Sequence, residues 1–147
     1  MVSTYSKISL VRNNANISIL MKKLLILLFS LLVSFNSYGE WKEIAESVES
    51  GDITYVDINS IRERNGYVYW WEMVDYLKPS KFGHMSDKSY GYVDCSSMSY
   101  QYLQMTFYKH SKGLGETETI TPTSGWHYAP PDSTAGILLD YVCDYVK

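Results

Sequence analysis

The chain has 147 residues, with 13 Lys or Arg against 16 Asp or Glu, a formal net charge of −3. An acidic balance is a poor match for a phosphate backbone, so nucleic acid is not an expected partner. Two cysteines, far apart and outside any C-x-x-C spacing, speak against a zinc site or a dithiol redox pair.

Residues 1–20 carry Asn13, Asn14 and Asn16 among scattered apolar residues with no period. They read as an upstream extension of a misassigned start, with Met21 as the true initiator. Lys22 and Lys23 then form a positive n-region, and Leu24 to Phe35 is an apolar run broken only by Ser30 and Ser34. Ser37 and Gly39 put small residues at the −3 and −1 positions of a cleavage site. The apolar run falls short of the roughly 20 residues that a membrane-spanning helix needs. Residues 21–39 are therefore expected to be a signal peptide cleaved after Gly39, and the product to be periplasmic or secreted. No cysteine follows the apolar run, so neither lipidation nor any other membrane anchor is expected after cleavage.

Residues 40–147 are of ordinary size for one domain. They hold all 16 acidic residues but only nine of the 13 basic ones, for a net charge of −7. Basic proteins or polycations suit such a surface better. Twelve Tyr, four Trp and two Phe fall here, a composition that favours strands. A core this small benefits from a covalent staple. In an exported chain whose only cysteines are Cys95 and Cys143, one disulfide is possible.

Trp41 to Ala45 and Ile53 to Ile58 are the first two strand candidates, with Gly51 as the turn residue between them. Arg62 to Gly66 is a charged segment closed by Asn65-Gly66, a hairpin signal. Tyr67 to Tyr76 is apolar on both faces, as a central strand should be. Lys78 to Asp87, with Pro79, Ser80, Gly83 and Ser86, reads as a loop. Tyr90 to Cys95 is a fourth strand. Tyr100 to Lys109 is a fifth, with Tyr102, Gln104, Thr106 and Tyr108 expected on one face and Leu103, Met105 and Phe107 on the other. After Gly113 and Gly115, Glu116 to Thr121 is a sixth.

Pro130-Pro131-Asp132-Ser133 is a helix-start signal in which Asp132 or Ser133 can cap. Ile137, Leu138, Tyr141, Val142 and Tyr145 then recur at helical spacing, with Cys143 beside the stripe. The expected fold is α+β: a single antiparallel β-sheet of about six strands with a C-terminal α-helix packed on it.

The motifs of catalysis are missing. None of His84, His110 and His127 has a second histidine at metal-ligand spacing, and no G-x-S-x-G, H-E-x-x-H or G-x-x-x-x-G-K occurs. The chain is not expected to be an enzyme or to hold a metal or cofactor. One local feature stands out. Lys78, Lys81, His84 and Lys88 cluster with Phe82 in and beside one loop of an otherwise acidic domain. Loops on rigid scaffolds concentrate binding residues, so this is the candidate partner-binding loop. The alternative role for its lysines is to keep a neighbouring edge strand from pairing with other chains.

Several short patterns, in order, resemble the surface-adhesin protein E family of exported bacterial proteins. Tyr55-Val56-Asp57-Ile58-Asn59-Ser60-Ile61 is similar to the family's Y-x-D-x-x-S-I, and Tyr69-Trp70-Trp71 leads on to Asp75-Tyr76 and Pro79. Asp94-Cys95, the turn Gly113-Leu114-Gly115, and Pro131-Asp132-Ser133 followed by Cys143 continue the match. The resemblance implies an antiparallel sheet, a C-terminal helix and a Cys95–Cys143 bond. For function it implies an adhesin-like, non-enzymatic protein that binds host extracellular-matrix proteins. The chain departs from the family's lipid-anchored adhesin in lacking a lipidation cysteine. That leaves the alternative of a soluble periplasmic structural or envelope-associated protein with no host-adhesion role.

Overall fold

The computed structural model describes residues 19–25 and 39–147. Residues 19–25 are helical; the rest of the expected signal peptide and of the upstream extension lies outside the described residues. The chain divides into two units, Met1–Tyr38 and Gly39–Lys147, and the fold described here is that of the second.

Its strands are β1 (Trp41–Glu46), β2 (Ile53–Asp57), β3 (Arg62–Arg64), β4 (Tyr67–Asp75), β5 (Ser86–Asp94), β6 (Ser99–His110), β7 (Leu114–Ile120) and β8 (His127–Tyr128). They form one antiparallel sheet with the path β1-β2-β4-β5-β6-β7; β3 adds to β4 and β8 to β6. The six strands on that path are the six expected from sequence. The two extra strands are short, and one of them comes from the Asn-Gly hairpin. Asn65 and Gly66 take φ of 53° and 82°, the left-handed pair that a tight two-residue turn demands. The turn folds Arg62–Arg64 back onto Tyr67–Tyr69.

Helix α1 (Thr134–Tyr145) is capped by Ser133, whose Oγ accepts from the Gly136 N–H at 3.1 Å. It packs on β1, β2 and β4. Leu138, Leu139, Val142 and Cys143 meet Val56, Val68, Trp70 and Val93 in a core where Trp70 is fully buried. The helix is rotated relative to the expected stripe. Ile137 and Tyr145 are 43% and 50% exposed, while Gly136, Leu139 and Cys143 turn inward. Cys143 is bonded to Cys95, just past the end of β5, with a Cα separation of 5.8 Å. That bond fixes which side of the helix faces the sheet.

Two strand expectations need correction. β5 begins at Ser86, not Tyr90, because its polar start is hydrogen-bonded in place: Ser86 Oγ donates to the His110 carbonyl at 2.6 Å. β6 is not a plain alternation. Gly91 pairs with Tyr102 and Tyr90 with Gln104, so Leu103 is bulged out. Tyr102 thereby joins the face of Met105 and Phe107, away from Gln104, Thr106 and Tyr108. Gly91 accommodates the bulge, since a Cβ there would lie 2.8 Å from the Gln101 carbonyl oxygen and 3.3 Å from the Trp70 ring.

The disulfide closes a loop of 48 residues, and chain entropy assigns such a cross-link about 4 kcal/mol. Replacing Cys95 and Cys143 together by Ser should lower the unfolding free energy by roughly that amount in a urea titration. Reduction of the native protein should give the same loss.

Candidate binding surface

The loop between β4 and β5 is short-circuited by its own backbone. Ser80 N–H donates to the His84 carbonyl at 2.9 Å and Gly83 N–H to the Ser80 carbonyl at 2.8 Å. Ser80 Oγ accepts from the amides of Phe82 and His84, at 3.3 and 3.1 Å. Gly83 has φ +77°, which only glycine adopts without strain. At the base, Tyr76 N–H donates to the Met85 carbonyl and Met85 N–H to the Tyr108 carbonyl, both at 2.9 Å. The loop is thus a rigid projection from the sheet.

Its tip exposes Phe82 (68%) with the Lys81 ammonium 4.9 Å from the ring centroid. Lys109, from β6, donates to the Phe82 carbonyl at 3.2 Å and adds a cation that sequence proximity did not flag. Beside the loop lies a cleft of ≈ 370 Å³ lined by Ser80, Lys81, Phe82, His84, Phe107, Glu118 and Ile120. A second cleft of ≈ 580 Å³ shares Ile120 and continues along β6 past Met105, Tyr102 and Tyr100.

The expected loop residues divide. Lys78, Lys81 and Phe82 lie in the loop, as read from sequence. His84 is buried (6% exposed), stacked on Phe107 with centroids 5.3 Å apart, and its Nε2 sits 3.7 Å from the Glu118 carboxylate. It is the floor of the cleft, not part of the tip. Lys88 is not in the loop at all. It stands inside β5, with its ammonium 5.4 Å from the Trp41 ring and 5.3 Å from the Tyr108 ring, under the close approach of Gly113. Its charge is spent on two aromatic faces, so it does not join the tip.

Behind the clefts, two carboxylates are buried without a cation among the described residues. Glu72 accepts from Trp70 Nε1 at 2.7 Å and from the Tyr102 hydroxyl at 2.6 Å. Asp87 accepts from the hydroxyls of Tyr76 and Ser89. Burial holds the Glu72 carboxyl up to about 7, against the two hydrogen bonds that favour its charge. Burial also raises Asp87, and burial together with Asp87 raises the Tyr76 phenol. Sequence periodicity reads Trp70-Trp71-Glu72-Met73 as an apolar strand and gives no hint that Glu72 is sealed in.

A family model described as surface-adhesin protein E matches residues 41–144. The chain belongs to the surface-adhesin protein E family. Its fold is shared with protein E of Haemophilus influenzae. One crystal form aligns with TM-score 0.51 at 18% identity, covering 74% of this chain and 91% of that one. A second structure of the same protein gives TM-score 0.51 and 18% identity over 74% and 87%. No curated protein sequence matches.

The buried carboxylate has a measurable consequence. Because the folded state holds the Glu72 proton up to about 7 against a normal 4.5, stability falls as pH rises through that interval and levels off above it. A shift of this size corresponds to roughly 3 kcal/mol. Glu72→Gln keeps an acceptor for Trp70 and removes the charge. It should therefore raise stability at pH 8 by up to about 3 kcal/mol, with the gain vanishing near pH 4, as read by urea denaturation at both pH values.

Proposed function

We propose that this is an exported, non-enzymatic, adhesin-like protein that binds a protein partner through the β4–β5 loop and the cleft beside it. Family membership supports host extracellular-matrix proteins as the partner class and supports export. The observation that carries the reading is the loop tip. An exposed Phe82 stands between Lys81 and Lys109 over an apolar cleft, held by a rigid backbone. An aromatic anchor with flanking cations is the composition of an interface hot spot. Preorganisation reduces the ordering cost of binding. In a domain of net charge −7, these cations also mark where an acidic patch on a partner can approach.

The reading predicts that Phe82→Ala lowers affinity for an immobilised matrix protein about ten-fold. Lys78→Glu with Lys81→Glu should lower it by a similar factor at low salt and flatten the salt dependence, since exposed pairs contribute roughly 0.2–1 kcal/mol each. Unchanged dissociation constants at low salt for both variants would reject the loop. Fractionation of the producing cells tests the export half: the protein should appear in osmotic-shock fluid or be cleaved by protease on whole cells. Retention in the cytoplasm would reject it.

A further inference from the structure

The face of the sheet opposite α1 carries a second surface, independent of the loop. In β4, Tyr67, Tyr69 and Trp71 alternate with the core residues Val68 and Trp70, so they point away from the helix. In register beside them stand Tyr92, paired with Tyr69, and Tyr90, paired with Trp71. The rings form a continuous ladder. Trp71 stacks on Tyr90 at 5.1 Å, Tyr90 lies 6.1 Å from Tyr69, and Tyr69 lies 5.4 Å from Tyr92. Tyr92 meets Tyr67 at 5.3 Å, and Trp126, 42% exposed, closes the end at 5.5 Å from Tyr92.

The borders of this ladder are polar. On one side β3 sets Arg62 opposite Tyr69 and Arg64 opposite Tyr67, both exposed and on the same face. Neither forms an ion pair among the described residues. On the other side Gln101 stands opposite Tyr92 and Gln104 opposite Tyr90.

We propose that this face binds an extended anionic polysaccharide, with sugar rings lying on the ladder and acid groups held by Arg62 and Arg64. A pyranose ring is amphipathic: its C–H face stacks on an aromatic ring while its hydroxyls reach sideways to polar groups. The ladder offers that combination repeatedly along a track of roughly 13 Å from Tyr67 to Trp71, at about 3.3 Å per residue. A repeating polymer fits a repeating floor. Guanidinium groups bind carboxylate or sulfate through two parallel hydrogen bonds. Two arginines without a carboxylate partner among the described residues, Arg62 with its Nε on the Ser60 carbonyl at 3.3 Å, give an anionic chain its point of approach in a domain of net charge −7.

Competing occupants fit less well. A protein partner seats its anchors in pockets, and the two clefts along β6 lie on the opposite face, where Tyr102 and Phe107 point. A single-stranded nucleic acid stacks on aromatics too, but needs a basic groove along its whole track. Here the cations stand on one border only.

The test is titration of the purified full-length protein with a heparin-derived decasaccharide, followed by calorimetry and tryptophan emission. Saturable binding with a change in emission is expected, because Trp71 and Trp126 belong to the ladder. Tyr69→Ala with Tyr92→Ala should weaken it at least ten-fold. Arg62→Gln with Arg64→Gln should weaken it similarly and remove most of its salt dependence. The arginines are exposed on a short strand, so that variant remains decisive even if the tyrosine variant loses its fold. Lys78→Glu with Lys81→Glu should leave binding unchanged, which separates this surface from the loop. Absence of saturable binding overturns the proposal, as do unaffected arginine variants. Equal affinity for a polyglutamate peptide or a single-stranded oligonucleotide overturns it as well, by reassigning the surface to another class of partner.

Discussion

One twelve-residue helix must cover a sheet of eight strands, and it packs mainly on β1, β2 and β4. Much of the rest of the architecture answers to that shortage. The helix is held where it does most, over Val56, Val68, Trp70 and Val93, by a bond from Cys143 to the end of β5. Without that tether a single amphipathic helix on a small domain has little to keep it in one rotation. Beyond the helix, the same face is closed by side chains of the sheet itself. The Leu103 bulge swings Tyr102 inward, and Tyr76 and His84 come down from the β4–β5 loop.

Closing a sheet with tyrosines brings polar atoms into the interior. Each hydroxyl needs a partner, and Glu72 and Asp87 are those partners. Among the described residues, no buried side-chain nitrogen or oxygen lacks a hydrogen bond. The arrangement trades stability at neutral pH for geometry: Tyr102 must sit over Glu72, and Tyr76 over Asp87, in one register only. A satisfied network of this kind specifies a unique packing more sharply than apolar contacts of equal area. It also fixes the base of the loop that carries Phe82, so the buried chemistry and the exposed tip are linked through Tyr76.

At 18% identity the fold is shared with protein E while most side chains have changed. The likeness therefore carries the fold alone, and surface chemistry has to be argued residue by residue. In this chain the loop tip and the aromatic ladder occupy different faces of the sheet. They draw on different cations, Lys81 and Lys109 for the first and Arg62 and Arg64 for the second.

Local chemistry determined a good deal by itself. The Asn65-Gly66 turn, the helix start at Asp132-Ser133, the six main strands and the single disulfide are legible because each depends on a few neighbouring residues or on simple counting. What tertiary structure alone decided is where alternation breaks and what lies across the sheet. Ser86 and Asp87 read as the end of a polar loop; the bond from Ser86 to the His110 carbonyl across the sheet and that from the Tyr76 hydroxyl to Asp87 make them strand. Lys88 reads as part of a basic loop, yet its fate is set by Trp41, 47 positions earlier, and by Tyr108. The aromatic ladder is invisible in the sequence because Tyr67 and Tyr92 become neighbours only through β4–β5 register. A pattern with period two tells which residues share a face, but it cannot tell which strand lies alongside, and pairing across strands is what builds a surface.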